Sequence, residues 1–105
     1  MSIEITARHM NASEAKTHAN ERAEQLVEEF SRIESIHVIL DVEKNHCKAE
    51  FVVNAKNHIH IEASEIDEEM TVAVDRAFSH TEKQMRKLRD KVQDHRGQAS
   101  NKTEE

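Results

Sequence analysis

Apolar positions along this chain recur with two different periods. From Met70 to Val92, the positions Met70, Val74, Ala77, Phe78, Thr81, Met85, Leu88 and Val92 follow steps of three and four, which puts them on one face of a helix. On the opposite side Arg76, His80, Lys83 and Lys87 follow steps of four, three and four, and Arg86, Arg89 and Lys91 extend the charge around the flanks. A second helical stretch runs from Ser13 to about Phe30. Ala15, Ala19, Ala23, Leu26, Val27 and Phe30 make its apolar stripe, and Glu21, Glu24 and Glu28 its solvent face. Ser13 is placed to cap the first of these helices and Asp67 the second, since each can accept from a free amide of the first turn.

Elsewhere the alternation has period two. Residues 2 to 8 put Ile3, Ile5 and Ala7 on one side and Glu4 and Thr6 on the other, as in a short strand. A second strand faces Ile36, Val38, Leu40 and Val42 inward, and a turn is expected at Lys44 to His46. The third strand faces Cys47, Ala49, Phe51 and Val53 inward. After a further turn at Ala55 to Asn57, the fourth faces Ile59, Ile61 and Ala63 inward. The predicted order is β-α-β-β-β-α, an α+β fold. Each strand has one apolar face and each helix one apolar stripe, so the economical packing is a four-stranded sheet with both helices on a single face. The first strand is expected parallel to the second through the helical crossover, and the rest form an antiparallel meander.

Composition sets the limits. The chain has 105 residues, 36% hydrophobic and 34% charged, which suffices for one core and leaves no room for a second. The folded part is expected over residues 1–96. Gly97, the only glycine, is placed as a helix C-cap, and residues 97–105 read as a disordered polar tail. All three aromatics are Phe, which argues against single-stranded binding by base stacking, a mode that needs aromatic platforms. One cysteine, Cys47, excludes an intrachain disulfide. No apolar run approaches a membrane span, and MSIEITARH lacks the order of a signal peptide, so a cytoplasmic protein without a membrane partner is expected. Charge is distributed unevenly. The formal net is -6, yet residues 83 to 96 carry six Lys or Arg against two Asp. A positive row on a rigid helix is a footprint for phosphates, although a solvated face of mixed charge is the ordinary alternative.

Little else in the sequence points to chemistry. Eight histidines raise the question of metal. His58 and His60 are expected on one face of a strand, with His37 near them, while Cys47 points to the other side. Structural zinc needs four ligands and catalytic zinc three plus water, so this set reads as exposed polar positions, and no metal or other cofactor is expected. Asp90, Asp94 and His95 read as surface residues. Adjacent carboxylates such as Glu28 and Glu29 or Glu68 and Glu69 point about 100° apart on a helix and do not converge. With no Gly-rich phosphate loop and no nucleophile–base arrangement, neither an enzyme nor a small-molecule substrate is expected.

The order ITARHMNASEA, FSRI, VILDVEK, AEFVVN, IHIEAS, EMTVAVD and KQMRKLRDK resembles the short ribosome hibernation-promoting factor / ribosome-associated inhibitor A family, a part of the sigma-54 modulation proteins. The resemblance runs from Ile3 to about Lys91. It implies a cytoplasmic stress-response factor that binds the small ribosomal subunit and its ribosomal RNA in the channel for mRNA and tRNA. There it would block the A and P sites and inhibit translation by occupancy. Carried over position by position, the implied RNA contacts are Arg8, Arg22, Lys83, Arg86, Lys87, Arg89 and Lys91. The first helix departs from the family in exposing glutamates around Lys16 and Arg22. The chain as given lacks the C-terminal dimerisation domain of the long form, so a monomer is expected off the ribosome.

Two other readings share these features. A double-stranded-RNA-binding module has the order α-β-β-β-α and reads A-form shape, but the additional first strand and the acidic Asp67, Glu68 and Glu69 before the last helix fit it poorly. A non-enzymatic protein-interaction adaptor would use the basic helix against an acidic partner. Sedimentation of lysate separates the readings, because only the ribosome factor comigrates with small subunits.

Overall fold

A computed structural model describes residues 2–8 and 13–94. The elements are β1 (Ser2–Arg8), α1 (Ser13–Glu29), β2 (Ile33–Glu43), β3 (His46–Ala55), β4 (Ile59–Asp67) and α2 (Met70–Asp94). The sheet order is β1-β2-β3-β4, with β1 parallel to β2 and the other two pairs antiparallel. This is the expected α+β arrangement. Both helices pack on the face toward which the apolar side chains point.

Register explains why that face is continuous. Ile3, Ile36, Val53 and Ile61 form one row across all four strands, and Ile5, Val38, Phe51 and Ala63 form the next. Phe51, Val38 and Val53 are wholly buried in these rows. Against them α1 buries Ala15, Ala19, Ala23 and Leu26, and α2 buries Met70, Ala73, Val74, Ala77 and Met85. Five alanines on the two inner stripes keep the helices close to the sheet and to each other. The buried Thr81 satisfies its hydroxyl by donating to the carbonyl of Ala77 at 2.8 Å, so it sits in the apolar stripe without an unpaired polar atom.

Several boundaries differ from the pattern reading. The second strand starts at Ile33, three residues before the apolar alternation becomes regular. A register irregularity between Ile33 and Ser35 lets Ile33 and Ile36 both face the core despite their odd spacing. Lys44 and Asn45 alone make the β2–β3 turn, at φ 48° and 67°, while His46 already belongs to β3. Lys56, Asn57 and His58 make the β3–β4 turn, so His58 leaves the strand where it was expected beside His60. Asn57 and His58 also have positive φ, 69° and 64°, and a backbone in this region no longer alternates its side chains. Ser13 stands as the first residue of α1. Asp67 ends β4 and accepts from the amide of Glu69 at 3.0 Å, which organises the entry to α2 as expected. Phe78 is only partly buried, at the margin of the core. The expectations for Gly97, for residues 97–105 and for His95 lie outside the described residues, as do the side chains of Asp90, Lys91, Val92 and Asp94.

Among the described residues no helix covers the other face of the sheet. Glu4, Thr6 and Arg8 of β1 lie on it, with His37, Ile39 and Asp41 of β2, Lys48 and Glu50 of β3 and His60 and Glu62 of β4. Its histidines are engaged separately. His37 Nε2 lies 2.8 Å from Thr6 Oγ1, while the ring of His60 bridges Asn54 and Glu62 at 2.8 Å each. Among the described residues no three His, Cys, Asp or Glu converge.

Candidate nucleic-acid interface

Because Val74, Ala77, Thr81 and Met85 point to the sheet, the helical period turns Arg76, His80, Lys83 and Lys87 outward, and all four are exposed. The row divides in two. Its first half is neutralised by the end of β4, where Arg76 lies 3.9 Å from Asp67 and His80 lies 3.3 Å from Glu65. In the second half, Lys83 and Lys87 have no anionic partner among the described residues. An exposed ammonium with no internal partner keeps its full field for a phosphate.

The flanking arginines are held in place. Arg86 reaches across to α1, 3.0 Å from Glu29, and also lies 3.2 Å from Glu82 one turn earlier on its own helix. Burial raises the Glu82 carboxyl, and its contact with Glu29 raises it further against the pull of Arg86. The hydrogen bond from Glu82 lowers Glu29, helped by the Arg86 guanidinium despite some burial. Two carboxyls and one guanidinium therefore form a link between the helices.

Arg22 belongs to a second link. Its Nε donates to Asp75 Oδ1 at 2.9 Å, His18 Nε2 lies 2.7 Å from the same oxygen, and the guanidinium covers the Phe78 ring at 5.2 Å from its centre. Burial acts to raise Asp75, but the hydrogen bonds from His18 and Arg22 outweigh it and hold the carboxyl below its ordinary 3.8. A carboxyl depressed in the folded state stabilises the fold above its unfolded value, and that contribution disappears as pH falls through the folded value. Asp75→Asn is therefore expected to lower stability at neutral pH by less than about 1 kcal/mol, because the site is half exposed and screened. The difference between variant and wild type should close below pH 3.8, as read from urea midpoints at a series of pH values.

Arg89 stacks over the Phe30 ring at 5.1 Å from its centre. It overlooks a cleft of about 230 Å³ where the end of α1, the start of β2, the β3–β4 turn and the second half of α2 meet. Arg32 stands on the same rim, and its carbonyl accepts from the amide of Lys56 at 3.0 Å. These two exposed cations were not among the sequence candidates. They lie 24 residues apart in connections without periodicity; the tertiary fold sets Arg32 on the cleft with Arg89 and joins Lys56 to Arg32 through the backbone.

The structure thus gathers Lys83, Lys87, Arg89 and, more tightly bound, Arg86 on one helix. Arg22 is set between the helices, where its immediate role is to position α1 against α2. Arg8 ends β1 on the open face of the sheet, opposite the layer that carries α2. The side chain of Lys91 lies outside the described residues.

Two solved proteins share this two-layer α+β fold. The first is a ribosomal subunit interface protein from Coxiella burnetii, 22% identical, covering 86% of this chain and 99% of that one with a TM-score of 0.71. The second is the N-terminal domain of Protein Y from Thermus thermophilus, 21% identical, covering 84% and 99% with a TM-score of 0.73. No curated protein sequence matches the chain. The family described as sigma 54 modulation protein / S30EA ribosomal protein matches residues 3–93, and the chain belongs to it. It is therefore a member of a ribosome-associated modulation family. No helix among the described residues is long and apolar enough to cross a membrane.

Proposed function

We propose that this protein is a cytoplasmic hibernation factor that binds the small ribosomal subunit through its ribosomal RNA and inhibits translation by occupying the mRNA–tRNA channel. One observation carries the reading. In a chain of net charge -6, the fold leaves Lys83 and Lys87 exposed without an anionic partner among the described residues and sets Arg89 on the same helix, within a ribosome-associated family. Phosphate contacts position a protein on RNA without requiring sequence readout, which suits a factor that acts by filling a space. Arg86 contributes from its carboxylate link, and Arg8, Arg22 and Lys91 extend the binding surface at the periphery. The protein acts as a monomer, without cofactor, membrane or small-molecule substrate, and excludes tRNA from the A and P sites without turning anything over.

Occupancy of this kind has a stoichiometric signature. Purified protein added to small subunits should cosediment with them and reduce initiator tRNA binding in proportion to the sites filled, and washing the protein away in high salt should restore it. Inhibition that persisted after the wash would contradict occlusion. A free pool that never joins small subunits at physiological salt would favour the adaptor reading.

A further inference from the structure

We infer that the cleft between the end of α1 and the second half of α2 is a subsite for one unpaired RNA base, with its phosphate held by the cations on the rim. The inference rests on the ribosomal-RNA reading above and adds where, and how, a base rather than a backbone is held. The floor is apolar. Ile59 and Leu88 are partly open, and Met85 and Ala55 are almost fully covered. At about 230 Å³ the space is below the roughly 300–1,000 Å³ that takes a drug-sized ligand, which suits a single planar ring system.

The walls supply what a base requires. Arg89 lies on Phe30, so one face of its guanidinium plane is packed and the other is available to continue the stack. Unstacked RNA bases are held in this way on aromatic rings and guanidinium planes. Arg32 adds a second guanidinium to the lining, at the mouth where the phosphate of an inserted nucleotide would lie. Glu29, the acidic residue on the lining, is already engaged by Arg86, which leaves the rim net positive. Charge complementarity therefore favours a polyanion with a flat ring system, and an unpaired nucleotide carries both in a single unit.

The test uses the full chain with methyl-labelled Ile, Leu and Met, titrated with a trinucleotide of RNA and with the same trinucleotide abasic at its central position. The base-bearing probe should move the Ile59, Met85 and Leu88 methyl signals, and the abasic probe should bind about ten-fold or more weakly. Arg89→Lys keeps the charge and removes the plane, so it should lose most of the difference between the two probes. Equal binding of the two probes by the wild type would overturn the subsite. Movement of these methyls by an acidic peptide alone would overturn it in favour of protein docking. Cosedimentation with small subunits is measured on the same preparations. Binding to subunits without base-dependent shifts removes the subsite and leaves the proposed function standing, whereas base-dependent shifts in a protein that ignores subunits do the reverse.

Discussion

Replacing Lys83 and Lys87 by Glu should leave the fold intact and weaken binding to the small subunit by about a hundred-fold or more. The fold should survive because both ammonium groups are exposed on the side of α2 away from Val74, Ala77, Thr81 and Met85. Neither has an anionic partner among the described residues, so reversal breaks no internal ion pair. Binding should suffer because two cations facing phosphate become two like charges. At about 4 Å each such pair is worth on the order of 1 kcal/mol even in water, and reversal changes its sign instead of merely removing it. Salt provides an independent check. Affinity of the wild type should fall as salt rises, and each phosphate that is no longer neutralised should flatten the log–log slope by roughly 0.7 to 0.9. Lys44→Glu with Lys48→Glu is the control, because these residues lie at the β2–β3 end of the sheet. Equal binding by the two double variants would move the RNA-facing surface off α2.

The largest effect on stability is expected from Phe51→Ala. The ring is fully buried in the central rows of the sheet, between Val38 and Ala63 in register, on a strand that packs against α2. Removing a ring from such a site costs about 3–5 kcal/mol, the transfer free energy plus the cavity left behind. For a protein of this size that is a large part of the roughly 5–15 kcal/mol available in total. The urea midpoint should fall by more than about 1 M, given slopes of about 1–3 kcal/mol per molar. Phe78→Ala should cost less, roughly 1–2 kcal/mol, because that ring is partly open and covered by Arg22. Equal losses at the two positions would mean that the rim of the core is packed as tightly as its centre.

The contrast between these rings shows what periodicity can read. A spacing of three or four assigns a residue to the inner stripe of a helix, and Met70, Val74, Ala77, Thr81 and Met85 are indeed buried there. Spacing does not distinguish the centre of the stripe from its edge, which depends on what the neighbouring helix covers, and so Phe51 and Phe78 look alike in the sequence. Strand alternation likewise places Ile36, Val38 and Leu40 but is silent about Ile33, whose inward position depends on an irregularity in pairing. His58 is misplaced for a similar reason. Nothing in AKNHIH marks where the left-handed turn ends and the strand begins, since Asn57 and His58 adopt positive φ without a glycine to announce it.

The candidate interface divides along the same line. Lys83 and Lys87 are visible because one helix carries them at regular steps. Arg32 and Lys56 come from connections, and no pattern within the chain relates them to Arg89. Charge alone also gives Arg22 and Arg86 the same standing as the two lysines. Which cation is occupied internally follows from side chains 53 to 57 residues away, Asp75 for one and Glu29 for the other.

The two hairpin turns, built at positive φ from Lys44, Asn45, Asn57 and His58, have a mechanical meaning. The sequence contains no proline, and its single glycine lies beyond α2, so the described body has no glycine at which the chain could fold like a joint. Its reversals are short and are made by residues that hold few backbone conformations. A molecule of this kind meets its site as a wedge does. The entropy of shaping the described body is spent during folding, and within it what remains to be ordered on docking is a handful of long basic side chains. It should therefore fit a cavity that already has the right outline and be rejected by one that has closed, so that the shape of the receiving channel, rather than any motion of the factor, sets when it binds.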